Sequence, residues 1–385
     1  METEKKGRLA EVAKVFFKLG CFAFGGPAAH VAMMEDEVVS KRKWMTKDHF
    51  LDLMGATNLI PGPNSTEMTM HCGHERAGFL GLFVAGICFI FPAVLITGTF
   101  AFVYVEYGHL PEVAPFFVGI KPAVLAVILA AVIKLGKKAL KNWELGVLGG
   151  LVVAAALLGL NEIVALLSAG ILGMIYFSIK NKVTLERSDS STKKSFLPFL
   201  LVGSATPAAS STLSTLGVFW SFLKVGSILY GSGYVLFAYL DVELVDAGFL
   251  TRQQLLDAIA VGQFTPGPVL STATFIGYQL DGFAGAIAAS VGIFLPSFLL
   301  VLMLNPLVPK MRKSKILRNF LDAVNVGAVG IMAAVLVVMT LDVVVDWRAI
   351  VIAAISLFVT FGIKKSNAMW TILGGAILGY ALTFV

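Results

Sequence analysis

Charge is scarce in this chain: Asp, Glu, Lys and Arg make up 14% of its 385 residues, roughly half the share of a typical globular domain. A soluble enzyme is excluded, because so few charged groups cannot cover a core of that size. Cysteine is nearly absent too. Cys21, Cys72 and Cys88 are odd in number and show no CxxC spacing, which excludes a disulfide framework and a paired-cysteine metal site. No GxxxxGK[ST] loop occurs, so the chain carries no ATP-driven pump domain of that kind. Glu67, His71, His74 and Glu75 fall on neighbouring helical faces, yet they match neither HExxH nor the di-iron ExxH spacing. No metal and no cofactor is expected.

Apolar sequence is what the chain does contain. Hydrophobic residues make up 57% of it, and no charge interrupts Ala77 to Val105, a run longer than the roughly 20 residues that cross a bilayer. The composition predicts an all-α integral membrane protein with the lipid bilayer as its main partner. The net charge of +6 sits in short Lys/Arg clusters between apolar spans, where the positive-inside rule accounts for it, so nucleic acid is not an expected partner. Lys5, Lys6 and Arg8 precede an apolar stretch, but Lys14 and Lys18 interrupt it and no clean cleavage site follows. The stretch is read as mature sequence in the cytoplasmic membrane.

The chain also repeats itself. Lys18/Lys224, Gly20/Gly226, Gly25/Gly231 and Glu37/Glu243 match at an offset of 206. Thr46/Thr251, Asp52/Asp257 and the two Pro-Gly-Pro triplets, 61–63 and 266–268, match at 205. Gly73/Gly277, Gly81/Gly285, Pro92/Pro296 and Trp143/Trp347 match at 204, so two single-residue deletions explain the drift. The predicted organisation is a first copy over 1–180, a polar linker over 181–195, an extra span over 196–214 and a second copy over 215–385.

Charge orients the copies. Lys41, Arg42, Lys43 and Lys47 face Asp241, Glu243, Asp246 and Arg252 at the equivalent place, and the sign reverses again between Glu106 to Glu112 and Lys310 to Arg318. By the positive-inside rule one copy is upside down relative to the other, the inverted repeat common among secondary transporters. The bookkeeping gives about nine full spans: 77–105, 113–133, 143–160, 163–179, 196–213, 282–305, 319–341, 348–363 and 368–385. The N-terminus and linker are then cytoplasmic and the C-terminus outside. The segments 9–40, 48–74, 215–240 and 253–281 hold Gly or Pro in their apolar middles and are read as four re-entrant or broken-helix hairpins facing the interior.

Chemistry concentrates in those hairpins. Pro61-Gly62-Pro63 ends one helix and starts another, preceded by Asn58 and followed by Asn64, Ser65 and Thr66. First-turn N–H groups lack intrahelical acceptors and carry the positive end of the helix dipole, which suits an anion. The second copy offers Gln263, Thr265, Pro266, Gly267 and Pro268, then Ser271 and Thr272. The alternative is a structural kink whose hydroxyls cap a helix. Lys121 stands deep in an apolar span, beyond comfortable snorkelling range, with Asn325 at the aligned position. It is either a substrate counter-ion or half of a structural pair with a carboxylate such as Glu67. Glu67, His71, His30, Glu37 and Glu243 are the coupling or gating candidates, against a plain interfacial role.

Phe24-Gly25-Gly26-Pro27 with His30, Trp44, the segment 58–65, Gly73 and Pro92, and in the second copy 231–234, 263–268 and 277–296, resemble the chromate ion transporter family in its long, two-domain form. The resemblance implies a chromate exporter that gives chromate resistance, with a relation to sulfate. It adds Gly25, Gly26, Pro27 and Gly231 to the expected substrate-binding set, although Gly231-Ser232-Gly233 replaces Gly-Gly-Pro in copy two. Transport of sulfate or another oxyanion by proton coupling or exchange is the alternative within this class. An intramembrane enzyme lacks a recognisable nucleophile, base or metal. A scaffold or receptor leaves Lys121 and the duplicated breaks without a purpose. Spare apolar surface is compatible with a homodimer.

Overall fold

The computed structural model describes residues 2–23, 27–57, 60–108, 114–160, 162–185, 213–229, 235–304, 315–363 and 368–382. Every regular element among them is helical. The first copy runs α1 (Glu2–Phe22), α2 (Pro27–Glu35) continued by a π-helical turn (Asp36–Lys41), α3 (Lys47–Thr57), α4 (Asn64–Tyr107), α5 (Ala114–Ala139), α6 (Trp143–Leu157) and α7 (Glu162–Leu185). The second runs α8 (Thr215–Ile228), α9 (Leu236–Leu240) with its π-helical turn (Asp241–Val245), α10 (Arg252–Phe264), a 3-10 turn (Val269–Ser271), α11 (Thr272–Leu304), α12 (Lys315–Val343), α13 (Trp347–Gly362) and α14 (Ala368–Leu382). Even the capping repeats: the side chain of Asn142 accepts from Leu145 N at 2.9 Å, and that of Asp346 from Ala349 N at 2.7 Å.

Two sharp turns shape each copy. Helix α4 reverses at Ala77 and Gly78, where Gly78 has φ +67°, and α11 reverses at Asp281 and Gly282, where Gly282 has φ +54°. The limbs of each hairpin touch through glycine: a side chain on Gly73 would strike the Gly81 carbonyl, and one on Gly277 the Gly285 carbonyl. Glycine is required there because the backbones themselves are in contact. The short limbs, 64–76 and 272–280, carry the chain from the buried Pro-Gly-Pro turns to those reversals. In the segments 48–74 and 253–281, α3 and α10 precede the turns and these limbs follow them.

The copies interlock. Helix α1 packs on α4 and α8 on α11, within each copy. Beyond that the partners are exchanged: α5 packs on α13 and α14 of the second copy, α12 packs on α6 and α7 of the first, and α5 meets α12. Close glycine contacts serve this exchange, with Gly119 of α5 against Gly375 of α14 and Gly173 of α7 against Ala323 of α12. A core cluster drawing on both copies, from Val124, Ile128 and Leu166 to Phe275, Ile331 and Met339, fills the interior.

Helix lengths sort the expected spans into two groups. Among the described residues, four helices are long and apolar enough to cross a membrane: 64–107, 118–139, 269–303 and 318–343. The segments expected to cross at 143–160, 348–363 and 368–385 hold helices of 15, 16 and 15 described residues. At about 1.5 Å per residue each reaches about 22–24 Å, short of a hydrocarbon core about 30 Å thick. Helix α7 continues to Leu185, past the apolar run and into the expected linker. The expected extra span, apart from Leu213 and Ser214, lies outside the described residues.

Candidate functional site

Each Pro-Gly-Pro turn is bonded to the other copy. Gly62 adopts φ +141°, a region that favours glycine, and its N–H donates to the Leu229 carbonyl of the other copy at 2.6 Å. Gly267, with φ +85°, does the same in reverse: its N–H donates to the Ala23 carbonyl at 2.9 Å. Leu229 and Ala23 are the last described residues before the breaks that follow α8 and α1, and both are buried. Each Pro-Gly-Pro turn thus satisfies a chain-end carbonyl that no helix can satisfy, which is the condition for irregular backbone inside a membrane protein. His30, buried on α2, holds the same Ala23 carbonyl through Nε2 at 3.1 Å. Pro27 opens α2 beside it. Gly25, Gly26, Asn58 and Gly231 lie outside the described residues.

Around the first turn, Pro61 is half-buried, and Pro63 precedes α4 without a side-chain cap while its carbonyl accepts from Thr66 N at 2.8 Å and Glu67 N at 3.1 Å. Ser65, Thr66 and Glu67 are fully buried, and Asn64 is half-buried. The Glu67 carboxylate folds back onto the turn, so that a side chain on Gly62 would collide with Glu67 Oε1 and come within 2.5 Å of Ser297 Oγ. Ser297 reaches in from α11, immediately after Pro296. Neither Glu67 oxygen, nor Ser297 Oγ, nor Thr66 Oγ1 has a hydrogen-bond partner. Ser297 is nevertheless the polar group near enough to act on the Glu67 carboxyl.

The second turn is built differently. Gln263, Thr265, Pro266, Gly267, Pro268, Ser271 and Thr272 are all buried. Thr272 donates to the Val269 carbonyl at 2.8 Å and Thr265 to the Val261 carbonyl at 2.9 Å. Thr97 of α4 sits between them, 3.3 Å from Thr265 Oγ1 and 3.1 Å from Ser271 Oγ. The expected match of first turns is therefore corrected: α4 starts at Asn64, directly after its prolines, whereas a 3-10 turn separates Pro268 from α11. The cause is the second single-residue deletion. A 3-10 turn rises about 2.0 Å per residue against 1.5 Å for an α-helix, so three residues cover what four would.

Lys121 lies half-buried on α5, ahead of the buried Pro122. Its ammonium acts on Asp257 of α10, and Glu67 is not among the groups acting on it. Packing explains the difference, because α5 lies against α10, while the Glu67 limb belongs to the hairpin packed on α1, α2 and α3. Asp257 is 2% exposed and accepts from the Tyr104 hydroxyl at 2.8 Å. Asn325 stands half-buried on α12. Glu37 and Glu243 occupy the two π-helical turns and form matched ion pairs, Lys18 with Glu37 at 3.3 Å and Lys224 with Glu243 at 2.6 Å. Arg42 also binds Glu37. His71 is buried one turn beyond Glu67 and has its own partner.

Sequence reasoning passed over Asp257, Tyr104, Thr97 and Ser297. A signal existed for Asp257, which belongs to the Asp52/Asp257 match inside an otherwise apolar stretch. The three hydroxyls stand singly in apolar helices, where only the fold shows what they face.

The family model described as "Chromate transporter" matches twice, over residues 10–174 and 216–380. A "Probable chromate transport protein" of Synechococcus elongatus is 30% identical over 362 residues, covering 93% of this chain and 91% of the relative. A "Chromate transport protein" of Cupriavidus metallidurans is 28% identical over 382 residues, covering 96% and 92%. A half-length relative, the "Uncharacterized transporter YwrB" of Bacillus subtilis, is 28% identical over 183 residues, which is 46% of this chain and 92% of that protein. No solved structure matches. With both copies matched by the model and the relatives covered almost end to end, the chain belongs to the chromate transporter family.

Proposed function

We propose that this protein is a secondary transporter that carries chromate, or a chromate-like oxyanion, out of the cytoplasm across the cell membrane and so gives chromate resistance. The observation that carries the reading is the reciprocal pair of hydrogen bonds, Gly62 to Leu229 and Gly267 to Ala23, by which each buried Pro-Gly-Pro turn is tied to the other copy. In this reading the anion is held between the Pro-Gly-Pro turns by first-turn N–H groups and by hydroxyls such as Thr66, with Lys121 supplying positive charge from α5. Asp257 balances Lys121 while the site is empty, which lowers the cost of keeping an ammonium inside an apolar span.

The two copies are read as inverted in the membrane, with the N-terminus and linker in the cytoplasm and the C-terminus outside. The exchanged packing of α5 and α12 supports a pseudo-twofold pair of that kind. Direction follows from charge. A dianion leaving a cell about 100 mV negative inside gains about 4.6 kcal/mol, at about 2.3 kcal/mol per charge, so no ATP is needed.

The test is chromate accumulation in cells expressing the chain, beside cells expressing Lys121→Ala, with sulfate as competitor and the potential collapsed in a parallel set. Lower accumulation that depends on Lys121 and on the potential is expected. Unchanged accumulation at good membrane expression overturns the chromate reading; strong inhibition by sulfate selects the broader oxyanion transporter.

A further inference from the structure

We propose that Glu67 is a proton-carrying site, and that one proton crosses the membrane together with each oxyanion held at the adjacent turn. The inference rests on the transport reading above and adds the identity of the coupling ion. Three features carry it. The Glu67 side chain is fully buried, with neither oxygen hydrogen-bonded. It lies against Gly62, the residue whose N–H links the two copies. It also stands in the first turn of α4, where Pro63 provides no side-chain cap.

An ionised carboxylate in that position would be unsolvated, whereas a carboxylic acid is tolerable there. The described neighbours offer no compensating charge. From α11 the group facing it is the Ser297 hydroxyl; on its own helix, His71 has its own interaction. From α2, His30 is committed to the Ala23 carbonyl, and from α10, Asp257 is held by Tyr104 and Lys121. The copy-two positions aligned with Glu67 on either side of the deletion, Ser271 and Thr272, carry hydroxyls, and that of Thr272 is spent on Val269, so among the described residues of the paired turns Glu67 is the one such acid.

Placement couples the proton to the anion. An oxyanion at the first turn would repel a carboxylate beside it, while the acid form donates its O–H to the anion. Each ligand therefore favours the other, and the linkage is reciprocal. Water on the side where the centre opens supplies the proton, a Glu67 carboxylate oxygen binds it, and water on the opposite side receives it. A dianion travelling with one proton moves one net negative charge, so the membrane potential acts on the complex with half the force it exerts on the bare dianion.

The test uses the full chain in proteoliposomes at mildly alkaline pH, with the potential clamped by potassium and valinomycin and lumenal pH followed by a trapped dye as external chromate is added. Wild-type protein is expected to acidify the lumen by one proton per chromate entering. Glu67→Gln is expected to exchange labelled chromate across the membrane with acidification lost, and Glu67→Asp to restore it. Chromate entry without acidification in the wild type overturns the proposal even if no variant inserts. Acidification that persists in Glu67→Gln also overturns it, because the protons then ride on the anion itself. Absence of chromate entry in the wild type overturns the transport reading instead, a failure distinguishable from either of these.

Discussion

The two Pro-Gly-Pro turns descend from one sequence, yet they are finished in opposite ways. The turn of copy two is closed: Thr265 and Thr272 return their hydroxyls to the backbone, and Thr97 bridges to Thr265 and Ser271. The turn of copy one is open: Thr66, Glu67 and Ser297 are buried with unmatched oxygens. Buried polar groups are ordinarily satisfied, and exceptions concentrate where a ligand or proton is to be received. The two copies therefore share a frame but differ inside it, with unmatched buried oxygens at one turn and bonded hydroxyls at the other.

The largest effect expected from breaking this comparison is at the turn glycines. Gly62→Ala must adopt φ +141° and drive its new methyl into Glu67 and Ser297, whereas Gly267→Ala, at φ +85°, meets Ala93 Cβ at 3.1 Å and the Gly20 carbonyl at 3.2 Å. Strain of about 1–3 kcal/mol applies at either position, and the collision adds to it at Gly62. Melting in detergent should rank wild type above Gly267→Ala above Gly62→Ala; equal losses would mean that the Glu67 pocket yields freely. Symmetric positions provide the control. A side chain on Gly20 would stand 2.6 Å from the Phe89 carbonyl and one on Gly226 2.5 Å from the Ile293 carbonyl, so these two alanine variants should destabilise equally, by about 1–3 kcal/mol. A clear difference between them would show that the copies are mechanically unequal well beyond their turns.

A smaller, asymmetric effect belongs to hydroxyl deletions. Thr97→Val removes a hydroxyl within hydrogen-bonding distance of two closed-turn hydroxyls and should cost about 1 kcal/mol. Ser297→Ala removes a hydroxyl that faces the Glu67 carboxyl without a well-formed hydrogen bond and should change stability by under about 0.5 kcal/mol while altering flux. If Ser297→Ala is the more destabilising of the two in melting experiments, the open turn is open in name only.

How much of this was legible in the sequence depends on the kind of signal. Gly78 and Gly282 mark the hairpin reversals, and Pro61 to Pro63 with its copy mark the turns, because glycine at positive φ and proline without an N–H act locally, whatever surrounds them. The partner of Lys121 was not legible. An aligned repeat shows which residues are equivalent, but α5 packs on the other copy's α10, α13 and α14, and such exchange leaves no trace in periodicity. Apolar run length overstated α6, which ends where Leu158 leaves helical geometry while the sequence stays hydrophobic, whereas the expected 348–363 has the length of α13. The hydroxyl chemistry was half legible, since the residue types were visible, while the open and closed states depend on one deleted residue that turns α-helix into 3-10 helix.

The smallest effect separates the copies at their rims. Glu37 is held by Lys18, Lys41 and Arg42, whereas Lys224 is the cation that holds Glu243. Removing one of three cations leaves Glu37 compensated, but Lys224→Ala leaves Glu243, whose side chain is only 18% exposed, without that ion pair. Both lysines are well exposed, so water and salt screen the pairs and each is worth at most about 1 kcal/mol. Lys224→Ala should therefore lower the melting temperature slightly more than Lys18→Ala, and raised salt should shrink the gap, since screening weakens the one pair that has no substitute. Equal losses at low salt would place the load on the π-helical turns themselves, and the rims would then be the one part of the polar framework that duplication left alike.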